Sequence, residues 1–160
     1  MSFNILIVED EVIIADDLTI SLEHAGYNVI NQVDNATSAL EVIEEESVDL
    51  VLLDIHIKGD KSGLDIARLL KDEYRIPFIF ITSYFDDDTL QKVEQMNPSA
   101  YIVKPYQEEE VLMNVRLALK KNANEKKQDK KQKIFIRDGG LLRPVKAEHI
   151  IYAKGEDNYT

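Results

Sequence analysis

The 160-residue sequence has no cysteine, which excludes disulfide frameworks, thiolate zinc sites and cysteine nucleophiles together. Histidine is scarce, and His24, His56 and His149 are too scattered to form a metal-ligand pattern. No apolar run approaches the roughly 20 residues that a membrane helix needs, and the N-terminus has no basic segment followed by an apolar one. The chain therefore reads as soluble and cytoplasmic, with no membrane partner. Positive charge is thin over most of the length. Residues 1–120 hold nine Lys and Arg against 24 Asp and Glu, a net −15, whereas residues 121–160 hold ten against six, a net +4. The acidic region should repel nucleic acid, and the basic one could approach phosphates. A solvated basic linker is the plainer reading of the second composition taken alone.

What is present is a regular alternation. Short apolar, β-branched runs (Phe3 to Val8, Tyr27 to Val33, Leu50 to Leu53, Phe78 to Ile81, Ala100 to Val103) alternate with helical periodicity. The helical stretches lie near Val12 to Ala25, Thr37 to Glu46, Leu64 to Tyr74, Asp87 to Met96 and Glu108 to Lys121. This pattern predicts an α/β fold, a doubly wound five-stranded parallel sheet with five helices. The runs "VDLVLLD" and "IPFIFIT" suit central strands covered on both faces, and Gly26 stands where the first helix should stop.

After Leu119 the character changes. "KKNANEKKQDKKQK" has no apolar face and reads as a helix end fraying into a linker over 122–132, with a helix extension as the competing reading. Beyond it, residues 133–160 alternate apolar and polar residues around Asp138-Gly139-Gly140, a hairpin signal. So short a segment cannot bury a core of its own, so it reads as the opening of an incomplete β-rich domain.

The first run is followed at once by Glu9, Asp10 and Glu11. In a parallel sheet, ligands bind at the carboxyl ends of the strands, beside the switch in strand order. There the third strand ends in Asp54, the fourth in Thr82 and Ser83, and the fifth in Lys104 followed by Pro105. Converging carboxylates need a hard cation, and oxygen ligation with retained waters suits magnesium. Asp54 could then act as nucleophile, with Lys104 and Thr82 contacting phosphoryl oxygens. Taken singly, Asp10 or Glu11 is a helix cap, Thr82 a strand-end residue and Lys104 a solvated surface lysine; four strand ends offering this set together are harder to explain as independent caps.

On "ILIVEDE", "VDLVLLDIHIKGDKSGLDIA", "IPFIFITS" and "AYIVKPY", residues 3–121 resemble the CheY-like receiver domain of two-component response regulators. The resemblance implies a flavodoxin-like sheet of order 2-1-3-4-5 and a receiver over residues 1–121. It also implies that Asp54 is the phosphoacceptor, served by a sensor histidine kinase. Asp10, Asp54 and the backbone carbonyl of His56 would bind Mg2+, with Glu9 contributing through water. Lys104 matches the family's lysine, with a cis bond to Pro105. Thr82 would be the switch hydroxyl and Tyr101 the aromatic that turns inward with it. The implied switch is two-state and favours homodimers through the face of the fourth helix, fifth strand and fifth helix. Kinase choice would lie around Val12 to Leu22. His56 and Tyr84 flank the path of an attacking water, which predicts slow loss of the phosphoryl group.

The tail, on "IFIRDGG" and "VKAEHIIYAKGEDNYT", resembles the beginning of a LytTR-type DNA-binding domain, implying DNA as a partner of the intact C-terminal domain and transcription regulation as the output. Such a protein is not an enzyme beyond self-phosphorylation and autodephosphorylation at Asp54. Other readings are a signalling module acting by protein contacts without DNA, and a phosphoaspartate phosphatase. The phosphatase is disfavoured because His56 stands where a second catalytic acid is expected. A flavin-binding fold is disfavoured because "EDE" repels a phosphate unless metal is present.

Overall fold

The computed structural model describes residues 2–83, 86–131, 133–138 and 141–146, with side chains over 2–83 and 86–128. Two compact units divide between Lys120 and Lys121. In the first, β1 (Asn4–Val8), α1 (Val12–His24), β2 (Asn28–Val33), α2 (Ala36–Glu45) and β3 (Leu50–Leu53) are followed by α3 (Gly63–Leu69), β4 (Phe78–Thr82), α4 (Asp87–Met96) and β5 (Ala100–Val103). The strands form one parallel sheet in the order β2-β1-β3-β4-β5, the doubly wound arrangement that the sequence implied.

Period-two alternation explains how a nearly all-apolar strand serves two cores. Leu6 and Val8 of β1, Val51 and Leu53 of β3, and Phe78 and Phe80 of β4 join Ala39, Ile66 and Val93 from α2, α3 and α4. Their neighbours Ile5, Ile7, Leu50, Leu52, Ile79 and Ile81 join Leu18 and Leu22 of α1 and the residues around Val115 on the other face. Each such side chain contributes about 1.5–3 kcal/mol on leaving water. A one-residue slip of any central strand would exchange the two faces, so the register is firmly held.

Helix ends follow local chemistry. Gly26 has φ +88° just after α1, a conformation that costs glycine least. Asp86 caps α4, accepting the Thr89 backbone N–H at 2.9 Å and the Thr89 hydroxyl at 2.7 Å, and Asn97 closes the helix in the left-handed region. Ser62 and Asp65 form a reciprocal capping box on α3. That helix continues as a π turn, Leu70–Tyr74, ending at Arg75 with φ 54°.

The final helix, α5 (Glu108–Lys131), departs from the expected fraying near Lys121. The reason is compositional. Residues 120–131 contain no Gly or Pro and are mostly Lys, Gln, Glu and Ala, all compatible with a helix even without an apolar face. In the second unit, β6 (Lys133–Asp138) pairs antiparallel with β7 (Leu141–Lys146), Asp138 opposite Leu141. The expected turn residues Gly139 and Gly140, and residues 147–160, lie outside the described residues. So does Tyr84.

Candidate functional site: an acidic pocket closed by a lysine

Backbone ladders carry two acids just past the strand ends. The Glu9 N–H donates to the Val33 carbonyl at 2.9 Å, prolonging the β1–β2 ladder, and the Asp54 N–H donates to the Val8 carbonyl at 2.9 Å, prolonging β1–β3. Both side chains therefore start from fixed backbone at the carboxyl edge. The Lys104 N–H donates to the Thr82 carbonyl at 2.9 Å, which places the lysine at the same edge from β5. The Lys104–Pro105 peptide bond is cis.

Among the described residues, the buried polar or charged side chains are Glu9, Asp54 and Thr82. All three occupy this edge. The Lys104 ammonium donates to Glu9 Oε2 at 2.7 Å and to Asp54 Oδ2 at 2.8 Å, and lies 3.3 Å from Glu11 Oε1. Glu9 Oε1 also accepts the Glu11 N–H at 3.0 Å, and Asp54 Oδ1 accepts the His56 N–H at 3.1 Å. His56 thus touches Asp54 through its backbone, and the residue is exposed.

The electrostatics are those of an under-neutralised cluster. One ammonium faces three carboxylates. Burial pushes the Glu9 carboxyl above its ordinary range, against the opposing pull of its hydrogen bond to Lys104. Burial also works against the Lys104 charge, but the hydrogen bonds to Asp54 and Glu9 overcome it and hold the ammonium up.

Carboxylate oxygens of Glu9, Glu11 and Asp54 lie within 4.8 Å of one another, an all-oxygen donor set that suits magnesium. Glu11, part of the acidic run after β1, thus joins Glu9 and Asp54 in the group, whereas the resemblance implied Asp10, Asp54 and the His56 carbonyl as ligands with Glu9 acting through water. Asp10 is half-exposed and lies near Lys58, whose ammonium is held up first by Asp34, 2.7 Å away, and then by Asp10.

Two further expected residues lie on the neighbouring strands β4 and β5. Thr82 is buried, and Tyr101 is half-buried with its ring edge-on to Phe80 at 6.3 Å. Burial, then Asp86 and Asp54, push the Tyr101 hydroxyl up.

Gly63 was not singled out in the sequence. Its N–H donates to the Ile55 carbonyl at 2.8 Å, and a Cβ there would overlap the Asp54 carbonyl oxygen. The available signal was a glycine directly after a helix-capping serine in "KSGLD". Beside the pocket, a groove of about 690 Å³ runs between α1 and the β5–α5 connection, touching Glu11, Ile14, Ile20, Lys104, Pro105 and Tyr106.

Comparison with known proteins shows the family and the fold. The family profile described as "Response regulator receiver domain" matches residues 5–116. The signal receiver domain of a modulated diguanylate cyclase from Desulfovibrio desulfuricans G20 is 33% identical with a TM-score of 0.74, over 78% of this chain and 99% of its own. A CheY-like response regulator receiver domain protein from Methanospirillum hungatei JF-1 is 28% identical with a TM-score of 0.72, over 78% and 99%. A DNA-binding response regulator of the LuxR family from Staphylococcus aureus shares the fold at 22% identity and a TM-score of 0.69, over 73% and 98%.

Proposed function

The chain belongs to the response regulator receiver family over residues 5–116, and from that premise we propose that Asp54 is its phosphoacceptor in a two-component system. The observation that carries this reading is the pairing of a buried Asp54 with Lys104 at 2.8 Å inside a cluster that retains excess negative charge. An Asp54 carboxylate oxygen attacks the phosphorus of a phosphohistidine or a small acyl phosphate. An acyl phosphate forms, and the donor leaves with the electron pair of the broken bond. Glu9, Asp10, Asp54 and the His56 carbonyl would hold Mg2+, with Glu11 close by; when bound, the ion neutralises charge on the transferring group. Lys104 reaches the Asp54 side chain and so is within range of a phosphoryl oxygen attached to it. Thr82 supplies the hydroxyl of the switch, and Tyr101 its aromatic partner.

The phosphodonor is a sensor histidine kinase. The groove beside Lys104, together with exposed Val12, Ile13 and Ile20 on α1, offers it an apolar landing surface. Exposed Val103, Met113 and Leu117 support homodimerisation through the α4-β5-α5 face. The output is transcriptional, through a LytTR-type domain that begins with the β6–β7 pair. Support for this is the antiparallel pairing of β6 with β7 and the net positive charge of residues 121–160.

The decisive test is intact mass after incubation with acetyl phosphate and magnesium. The expected result is one added phosphoryl group in the wild type, none in Asp54→Ala and none without magnesium. A wild-type protein that stays unlabelled while folded would reject the phosphoacceptor role. For the output, gel-shift binding that persists in a chain ending near Asn124 would reject DNA recognition by the C-terminal segment.

A further inference from the structure

We propose that the lysines at positions 126, 127, 130 and 131 of α5 form a contact stripe for the phosphate backbone of duplex DNA. This inference rests on the proposed DNA output and assigns part of its affinity to the helix rather than to the β-rich segment that follows.

The argument begins with where charge falls on the helix. At 3.6 residues per turn, positions 126, 127, 130 and 131 fall within an arc of about 140°. Positions 125 and 129, both acidic, lie outside that arc, centred about 150° from its middle, with 129 about 60° from 126. Glu125 lies 3.9 Å from Lys121, so this acid approaches a lysine outside the stripe. Residues 124–128 are all exposed, and no apolar face here calls for a packed partner.

A helix whose charges only confer solubility interleaves opposite signs at i,i+4. Over residues 125–131 the pattern is the reverse, the opposite-sign Lys121–Glu125 pair beginning before that stretch. Glu125 and Asp129 are an acidic i,i+4 pair, and Lys126 with Lys130 and Lys127 with Lys131 are basic ones, each disfavouring the isolated helix. The helix macrodipole favours lysine in the last turn but is indifferent to which side of the helix carries it. A one-sided row of like charge fits a linear polyanion, whose dense phosphates relieve the repulsion and release counterions on contact. A folded protein surface with mixed charges fits it less well.

The test uses the whole 160-residue chain and a labelled random-sequence duplex, with anisotropy followed over about 50–200 mM salt. Replacing Lys126, Lys127, Lys130 and Lys131 by Gln should make the slope of log affinity against log salt shallower by about three to four. Arginine at the four positions should preserve it. Replacing Lys61, Arg68, Lys92 and Arg116 by Gln removes the same net charge from exposed positions outside the stripe and should leave the slope as it was. Circular dichroism establishes that helix content is unchanged. Equal slopes for the wild type and the stripe variant overturn the inference and leave the DNA output standing. A loss matched by the control set overturns it as a general charge effect. Binding of the wild type to anionic vesicles or to a second copy, with none to the duplex, overturns both it and the output.

Discussion

Lys104 and Asp54 are joined by a 2.8 Å ion pair although their strands, β5 and β3, are separated by β4 in the sheet. The lysine therefore spans the width of β4 above its carboxyl end, and it reaches Glu9 at the end of β1 as well. Removing it leaves buried carboxylates without their counter-charge. Lys104→Met should cost about 3 kcal/mol in denaturant unfolding without divalent cations. Magnesium should recover more stability in this variant than in the wild type. A variant as stable as the wild type in chelator would show that the pocket tolerates its own charge.

Glu9 gives a pH dependence with a definite sign. Burial raises its carboxyl above the ordinary value of 4.5, so between that value and the folded one the native state holds a proton that the unfolded chain has released. Stability from this group is greatest below 4.5 and is lost as pH rises through the folded value. Urea melts at a series of pH values should show the difference in stability, wild type minus Glu9→Gln, falling as pH rises from about 4 towards neutrality. A difference independent of pH would mean that Lys104 cancels the burial effect.

Gly63 tests how the pocket is supported. Its α-carbon abuts the Asp54 carbonyl, which is main chain and cannot rotate away. Gly63→Ala should destabilise by about 1–3 kcal/mol and slow labelling of Asp54 by acetyl phosphate more than the stability loss explains, because the loop carrying Asp54 must shift. Gly26→Ala is the comparison: a Cβ there meets nothing within 4 Å, so its cost is conformational and labelling should not change.

Strand periodicity made the sheet legible, because central strands buried on both faces leave short apolar runs that no amphipathic helix shares. The edge chemistry was legible for a related reason. Acids, a hydroxyl and a lysine placed directly after such runs have one common location in a parallel sheet. What the chain order hid was lateral geometry. Glu11 is two residues beyond Glu9, and only the turn between β1 and α1 swings its carboxylate to within 3.3 Å of Lys104. Gly63 is nine residues from Asp54 in sequence, and its contact arises from the path of the intervening loop. At the end of α5 the sequence leaves both a linker and a helix extension open, because periodicity detects packing, and residues 120–131 are helical by intrinsic preference without it.

The last prediction concerns α4. Its N-terminus is capped by Asp86, while the carbonyl of Gln95 near its C-terminus accepts the Lys71 ammonium at 2.8 Å from the π turn after α3. A cation at a helix C-terminus is favourable by about 0.3–1 kcal/mol, so this contact pins one end of a helix that belongs to the proposed switch face. Lys71→Met should leave the global unfolding midpoint nearly unchanged, since the lysine is exposed. Local opening is another matter. Amide exchange near Val93 to Met96 should rise about two- to five-fold, the population change that such an energy implies. If exchange there tracks the rest of the sheet and does not respond, Lys71 is a surface contact and α4 is held by its apolar face alone.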